Sequence, residues 1–229
     1  MPENRFSIGD AVSFGWEVFW NNKGFLIPAV LIMWFVGWIS GLVQWPFYLT
    51  RSAAVNAVGG ILGFIVSMVI GVFINMARVR IGLKFCSNEV ADFPDLVSDY
   101  RRFVDVLVGS ILYFLIVMAG LILLIIPGLY WAVRYQFYVY LILDQGLDPV
   151  ESIKKSGRIT RGSWWHLFVF WLAIVGITIL GVLACCVGLL FAMPVVIIAT
   201  AYVYRSLLAA TPVAAEPQAA PPVPQQPAE

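Results

Sequence analysis

Residues 106–133 read VLVGSILYFLIVMAGLILLIIPGLYWAV, 28 positions without a charged side chain. The hydrocarbon core of a bilayer is about 30 Å thick, and a helix rising about 1.5 Å per residue crosses it in about 20 residues. The stretch is too long for one ordinary crossing. Pro127-Gly128 divides it, because proline removes a helix donor and glycine permits a turn. Two spans are therefore expected, near residues 106–126 and 129–143.

The same pattern extends outward in both directions. Residues 24–44 and 53–77 carry no charge, and neither does the 43-residue stretch 162–204. The latter holds two more spans, near 163–185 and 188–205, with a turn expected around Cys186-Val187-Gly188. Backbone groups left unbonded in lipid are too costly, so a crossing segment is a helix or part of a closed barrel. Continuous apolar runs exclude the alternating barrel pattern. Composition agrees: 61% of the 229 residues are hydrophobic and only 12% are charged. Soluble domains carry about 25% charged residues, and a soluble fold of this length has too little interior for so much apolar surface.

The cations sort by side. Arg5 and Lys23 precede the first span, and Arg78, Arg80, Lys84, Arg101 and Arg102 lie between the second and third. Lys154, Lys155, Arg158 and Arg161 lie between the fourth and fifth, and Arg205 follows the sixth. In a six-span arrangement all of these share one face, with Arg51 alone opposite and Arg134 within the fourth span. Short loops rich in Lys and Arg stay inside, which places both termini in the cytoplasm. The start, residues 1–23, is mixed and polar and carries no signal-peptide pattern.

Each pair of spans follows a short helix-start signal: Ser7-Ile8-Gly9-Asp10, Asp92-Phe93-Pro94-Asp95 and Asp148-Pro149-Val150-Glu151. A capping oxygen followed three residues later by an acid satisfies orphan amides in both directions. The expected architecture is an all-α integral membrane fold. It has six transmembrane helices as three hairpins, each preceded by a short amphipathic interfacial helix. Residues 1–23 form the first interfacial helix, 24–208 the membrane domain and 209–229 a Pro-rich cytoplasmic tail.

The order Ile126-Pro127-Gly128, Arg134, Leu143-Asp144-Gln145-Gly146, Lys154-x-Ser156 and Thr160-x-Gly162-x-Trp164-Trp165 is distinctive. It resembles a family of uncharacterised prokaryotic multipass proteins related to the membrane domain of glycerophosphoryl diester phosphodiesterases. The resemblance covers about residues 110–208. It implies a six-span bundle, multipass in a prokaryotic cytoplasmic (inner) membrane, without a settled biochemical role. The chain has no room for a soluble phosphodiesterase domain, so that activity is not implied.

Arg134 is the sharpest candidate for function. A cation within a span costs at least about 2.5 kcal/mol and must find partners or water. Tyr135, Gln136, Tyr138 and Asn75 are its expected polar neighbours, forming either an anion site or a clamp between helices. Lys154, Lys155, Arg158 and Arg161 are expected to touch anionic lipid, each basic residue near a membrane surface contributing about 1 kcal/mol. The single histidine, His166, leaves no multi-His metal site, and no P-loop, HExxH or GxSxG motif occurs. No cofactor, no catalytic constellation and no nucleic-acid partner is expected. The reading is a non-enzymatic membrane component acting through lipid or protein contacts, the Pro-rich tail offering a segment for a protein partner. The alternative is a small permease or amphiphile transporter with a site near Arg134.

Overall fold

The computed structural model describes residues 6–48, 53–89, 91–96, 99–184 and 187–211, and among these there is helix and loop but no strand. The elements are α1 (Ile8–Tyr48), α2 (Ala53–Cys86), two 3-10 turns (Phe93–Leu96 and Tyr100–Arg102), α3 (Phe103–Leu123) and α4 (Ile125–Tyr135). α5 (Tyr138–Gln145), α6 (Pro149–Ile159), α7 (Trp164–Leu183) and α8 (Val187–Ala209) follow. Five stretches among the described residues are long and apolar enough to cross a membrane: Ile8–Ile39, Ala57–Cys86, Phe93–Leu123, Trp164–Leu183 and Gly188–Ala209. The chain is thus a multipass, all-helical membrane protein. The Pro-rich tail from Pro212 onward lies outside the described residues, as do Cys185 and Cys186.

The fourth expected span, 129–143, is not one helix. α4 ends at Tyr135, and Gln136 and Phe137 separate it from α5. At 11 and 8 residues these helices are only about 16 and 12 Å long, each too short to cross alone. The turn before them also sits elsewhere than expected. Leu124 is the extended residue, with φ −168° and ψ 152°. Pro127 therefore falls in the first turn of α4, where its missing N–H would have had no helical partner. Gly128 serves contact instead of the turn. A Cβ placed on it would lie 2.6–2.7 Å from Leu121, and one on Gly120 would lie 2.7 Å from the Gly128 Cα. The two glycines let α3 and α4 approach backbone to backbone.

The three start signals have three outcomes. Ser7 Oγ accepts the Asp10 amide at 3.3 Å, and α1 then runs on through a single non-helical residue, Asn22, into its apolar half. Asp95 Oδ2 accepts the Asp92 amide at 2.7 Å, the expected reach-back, but only short 3-10 turns follow. The expected second interfacial helix is replaced by a segment tethered to α2, through Lys84–Asp95 at 2.7 Å and Arg80–Asp99 at 3.4 Å. The third signal starts a true amphipathic helix, α6, with Pro149 in its first turn and no side-chain cap on Asp148.

Burial is uneven along the spans. Large exposed apolar residues concentrate on 31–42 of α1, 58–65 of α2, 111–123 of α3 and 179–183 of α7. Water would penalise such a surface heavily, whereas lipid tails accept it. The buried side chains gather toward the charged end of the bundle, from Met76 to Phe85 of α2, throughout α5 and along α8 from Val195 to Leu207. Tyr204 of α8 packs against Phe137 and Tyr140, with ring centroids 6.0 and 5.1 Å away. α8 packs against α1, α2 and α7 and so forms the centre of the assembly.

Candidate functional site

α6 carries two faces. Ser152, Ile153, Ser156, Gly157 and Ile159 are buried against the bundle, while Lys154 and Arg158, one turn apart, point outward. Arg161 continues that basic face just past the helix. The buried face meets the gap between α4 and α5. There the regular ladder is interrupted, which orphans a carbonyl at Arg134 and an amide at Phe137. α6 supplies both partners. The Ser156 hydroxyl donates to the Arg134 carbonyl at 3.2 Å and accepts the Phe137 amide at 3.3 Å. The Thr160 hydroxyl donates to the same carbonyl at 3.0 Å and is also 2.8 Å from the Ser156 carbonyl.

This clasp builds a cleft of about 530 Å³ between α3, α4 and α6. One wall is apolar: Leu112 and Ile116 of α3 with Val150 and Ile153 of α6. The rest is basic, with Arg134, Lys154, Arg158 and Arg161 lining it and no carboxylate among the lining residues. None of the four cations is in an ion pair among the described residues, whereas Arg80, Lys84 and Arg205 each face an acid. Arg134 is oriented by aromatic groups. Its Nη1 donates to the Tyr130 hydroxyl at 3.0 Å, and the guanidinium lies 5.6 and 5.8 Å from the Tyr130 and Tyr135 ring centres. Its Nε is buried without a hydrogen-bond partner. Gly157 keeps the floor open, since a Cβ there would meet Tyr135 Cε1 at 2.9 Å and Arg134 Nε at 3.3 Å.

The two groups of residues singled out in the sequence thus meet in one place, Arg134 and Tyr135 from one and Lys154, Arg158 and Arg161 from the other. The remaining expected neighbours do not line this cleft. Tyr138 turns toward α3, with its hydroxyl 2.9 Å from Ser110 Oγ and its ring stacked on Tyr113. Gln136 buries an Nε2 that has no partner, and Asn75 and Lys155 are absent from the cleft lining. Sequence reading missed Tyr130, Gly157 and the α3 wall. Ser156 and Thr160 stood in the recurring motif without a role; the structure gives them one as the clasp on the helix break.

A second polar cluster joins distant segments. Asp144 accepts from the Tyr204 hydroxyl at 2.9 Å and pairs with Arg205 at 3.0 Å, and Arg205 also reaches Ser87 at 3.3 Å. It ties α5 to α8.

The chain is similar to proteins from mycobacteria. It is 28% identical over 230 aligned positions to the uncharacterized protein Rv2560 of Mycobacterium tuberculosis, an alignment covering 90% of this chain and 70% of the relative. The uncharacterized protein Mb2590 of Mycobacterium bovis matches with the same identity and coverage. No family profile and no solved structure matches the chain.

Proposed function

We propose that this chain is a non-enzymatic component of the prokaryotic cytoplasmic membrane that binds a lipid with an anionic, phosphate-bearing headgroup in the cleft between α3, α4 and α6. One observation carries the reading: four cations without acidic partners beside a wall of four aliphatic side chains. Like charges gathered around one cleft repel one another, and an anion relieves that repulsion. Arginine suits phosphate because its planar fork offers paired donors. The aliphatic wall supplies the contact for the lipid's chain.

In this reading α4 and α5 together make a sixth crossing, so the helices form three hairpins with both termini cytoplasmic. The bacterial relatives, the cation sidedness and the resemblance of residues 110–208 support it. Reporter fusions after Arg205 would read cytoplasmic; a periplasmic readout would overturn the orientation.

The binding test uses the full chain in detergent, melted with and without phosphatidylglycerol or phosphatidylcholine. Wild type gains several degrees with the anionic lipid and little with the zwitterionic one. Arg134→Gln and the double variant Lys154→Gln/Arg158→Gln lose the gain, as does Gly157→Leu, which crowds Tyr135 and Arg134 at the floor of the cleft without altering charge. Equal gains in wild type and all variants would refute the site.

A permease reading is favoured by one feature, the interrupted helix beside the cleft, because discontinuous helices line transport sites in many carriers. Scrambling of fluorescent phospholipid in proteoliposomes separates the two. Rates above protein-free vesicles that vanish in Gly157→Leu would replace the binding component with a transporter.

A further inference from the structure

A groove of about 690 Å³ lies between α1 and α2, away from the basic cleft. The helices run antiparallel here. Phe25 meets Phe85 with ring centroids 6.3 Å apart, and a Cβ on Gly37 would lie 3.6 Å from Ile74 Cδ1. Leu31, Trp34, Phe35 and Trp38 recur at helical spacing and are all exposed along the groove's edge. Gly37 leaves room between them and Ile74. Among the residues lining the groove only Arg78 is charged. It sits one turn beyond Ile74 on α2, and so beside the Met33–Trp34 end of the stripe.

Arg78 differs from the other cations of its helix. Arg80 faces Asp99 and Lys84 faces Asp95. Arg78 forms no ion pair among the described residues, and its Nε is buried without a hydrogen-bond partner. A guanidinium at the edge of hydrocarbon is costly without a counter-charge. Both helices belong to stretches suited to cross a membrane, so the surroundings of this groove are lipid. A phospholipid answers both demands at once. Its chain covers the aromatic stripe, and its single phosphodiester charge matches a single arginine.

We propose that the α1–α2 groove is a phospholipid site, with one acyl chain lying along Trp34, Phe35 and Trp38 and the phosphodiester bound by Arg78. The site is independent of the basic cleft, where four cations select for net negative charge. Here the phosphodiester alone is read, so a zwitterionic lipid binds as well as an anionic one.

The test reconstitutes the full chain in lipid nanodiscs containing phosphatidylcholine with a photoactivatable diazirine in one acyl chain. Mass spectrometry of peptides compares labelling of residues 31–38 with labelling of the exposed Ile179, Leu180, Val182 and Leu183 of α7, which report ordinary lipid contact. The ratio is expected at threefold or more in wild type and close to one in Arg78→Gln. A diazirine-bearing diacylglycerol, which has the chains but no phosphate, shows no dependence on Arg78. Gly37→Leu retains the arginine but fills the groove, and it too lowers the ratio. An unchanged ratio in either variant overturns the proposal, as does a diacylglycerol signal that depends on Arg78. Lys154→Gln/Arg158→Gln leaves the ratio intact, so failure of the basic cleft and failure of this groove are separately visible.

Discussion

Replacing Ser156 by alanine probes the clasp that holds the break between α4 and α5. The Ser156 hydroxyl performs two tasks, donating to the Arg134 carbonyl and accepting the Phe137 amide. Ser156 and Phe137 are both fully buried, so no bulk water replaces the lost partner. The Phe137 amide is then orphaned, at about 1–3 kcal/mol for a buried unsatisfied donor. The Arg134 carbonyl keeps Thr160, so Thr160→Val alone removes one of two donors and costs about 1 kcal/mol or less. In the double variant that carbonyl loses both donors. The combined loss should therefore exceed the sum of the single losses by at least about 0.5 kcal/mol, as expected for residues sharing one partner. Equilibrium unfolding in mixed detergent gives the four stabilities of the cycle. A Ser156→Ala variant within about 0.5 kcal/mol of wild type, the range usual for surface changes away from such features, would refute the clasp, and strict additivity would refute the sharing.

Gly128→Ala forces a methyl group against Leu121 at 2.6–2.7 Å, in a contact that involves backbone, and should destabilise by about 1–3 kcal/mol through overpacking. The measurement is a melting curve in detergent, and an unchanged midpoint would contradict the close α3–α4 approach. Asp144→Ala should cost more than Arg205→Ala, about 1–3 against 1 kcal/mol or less, because it strips the acceptor from the buried Tyr204 hydroxyl, whereas the Arg205 side chain is 39% exposed. The same unfolding assay compares them, and the reverse order would show that the cluster acts mainly through its ion pair.

The sequence by itself determined that this chain crosses a membrane repeatedly as helices. Uncharged runs such as 24–44 and 106–133 leave no soluble solution, and hydrocarbon demands that backbone groups bond within the segment. It also marked Arg134, because a charge within a span is costly, and the basic stretch 154–161, because cations at a membrane surface attract anionic lipid. Tertiary structure alone decided the rest. Nothing at Gln136-Phe137 signals a helix end; the break stands because Ser156 and Thr160, about 20 residues later, satisfy the groups it frees. Proline and glycine at 127–128 looked like a turn, yet Gly128 is spent on contact with α3, a use visible only once both helices are in place. The meeting of Arg134 with Lys154, Arg158 and Arg161 in one cleft is likewise a product of packing. Local sequence sets which segments leave water, and the long-range contacts set where a helix can be broken and which charges come to face one another.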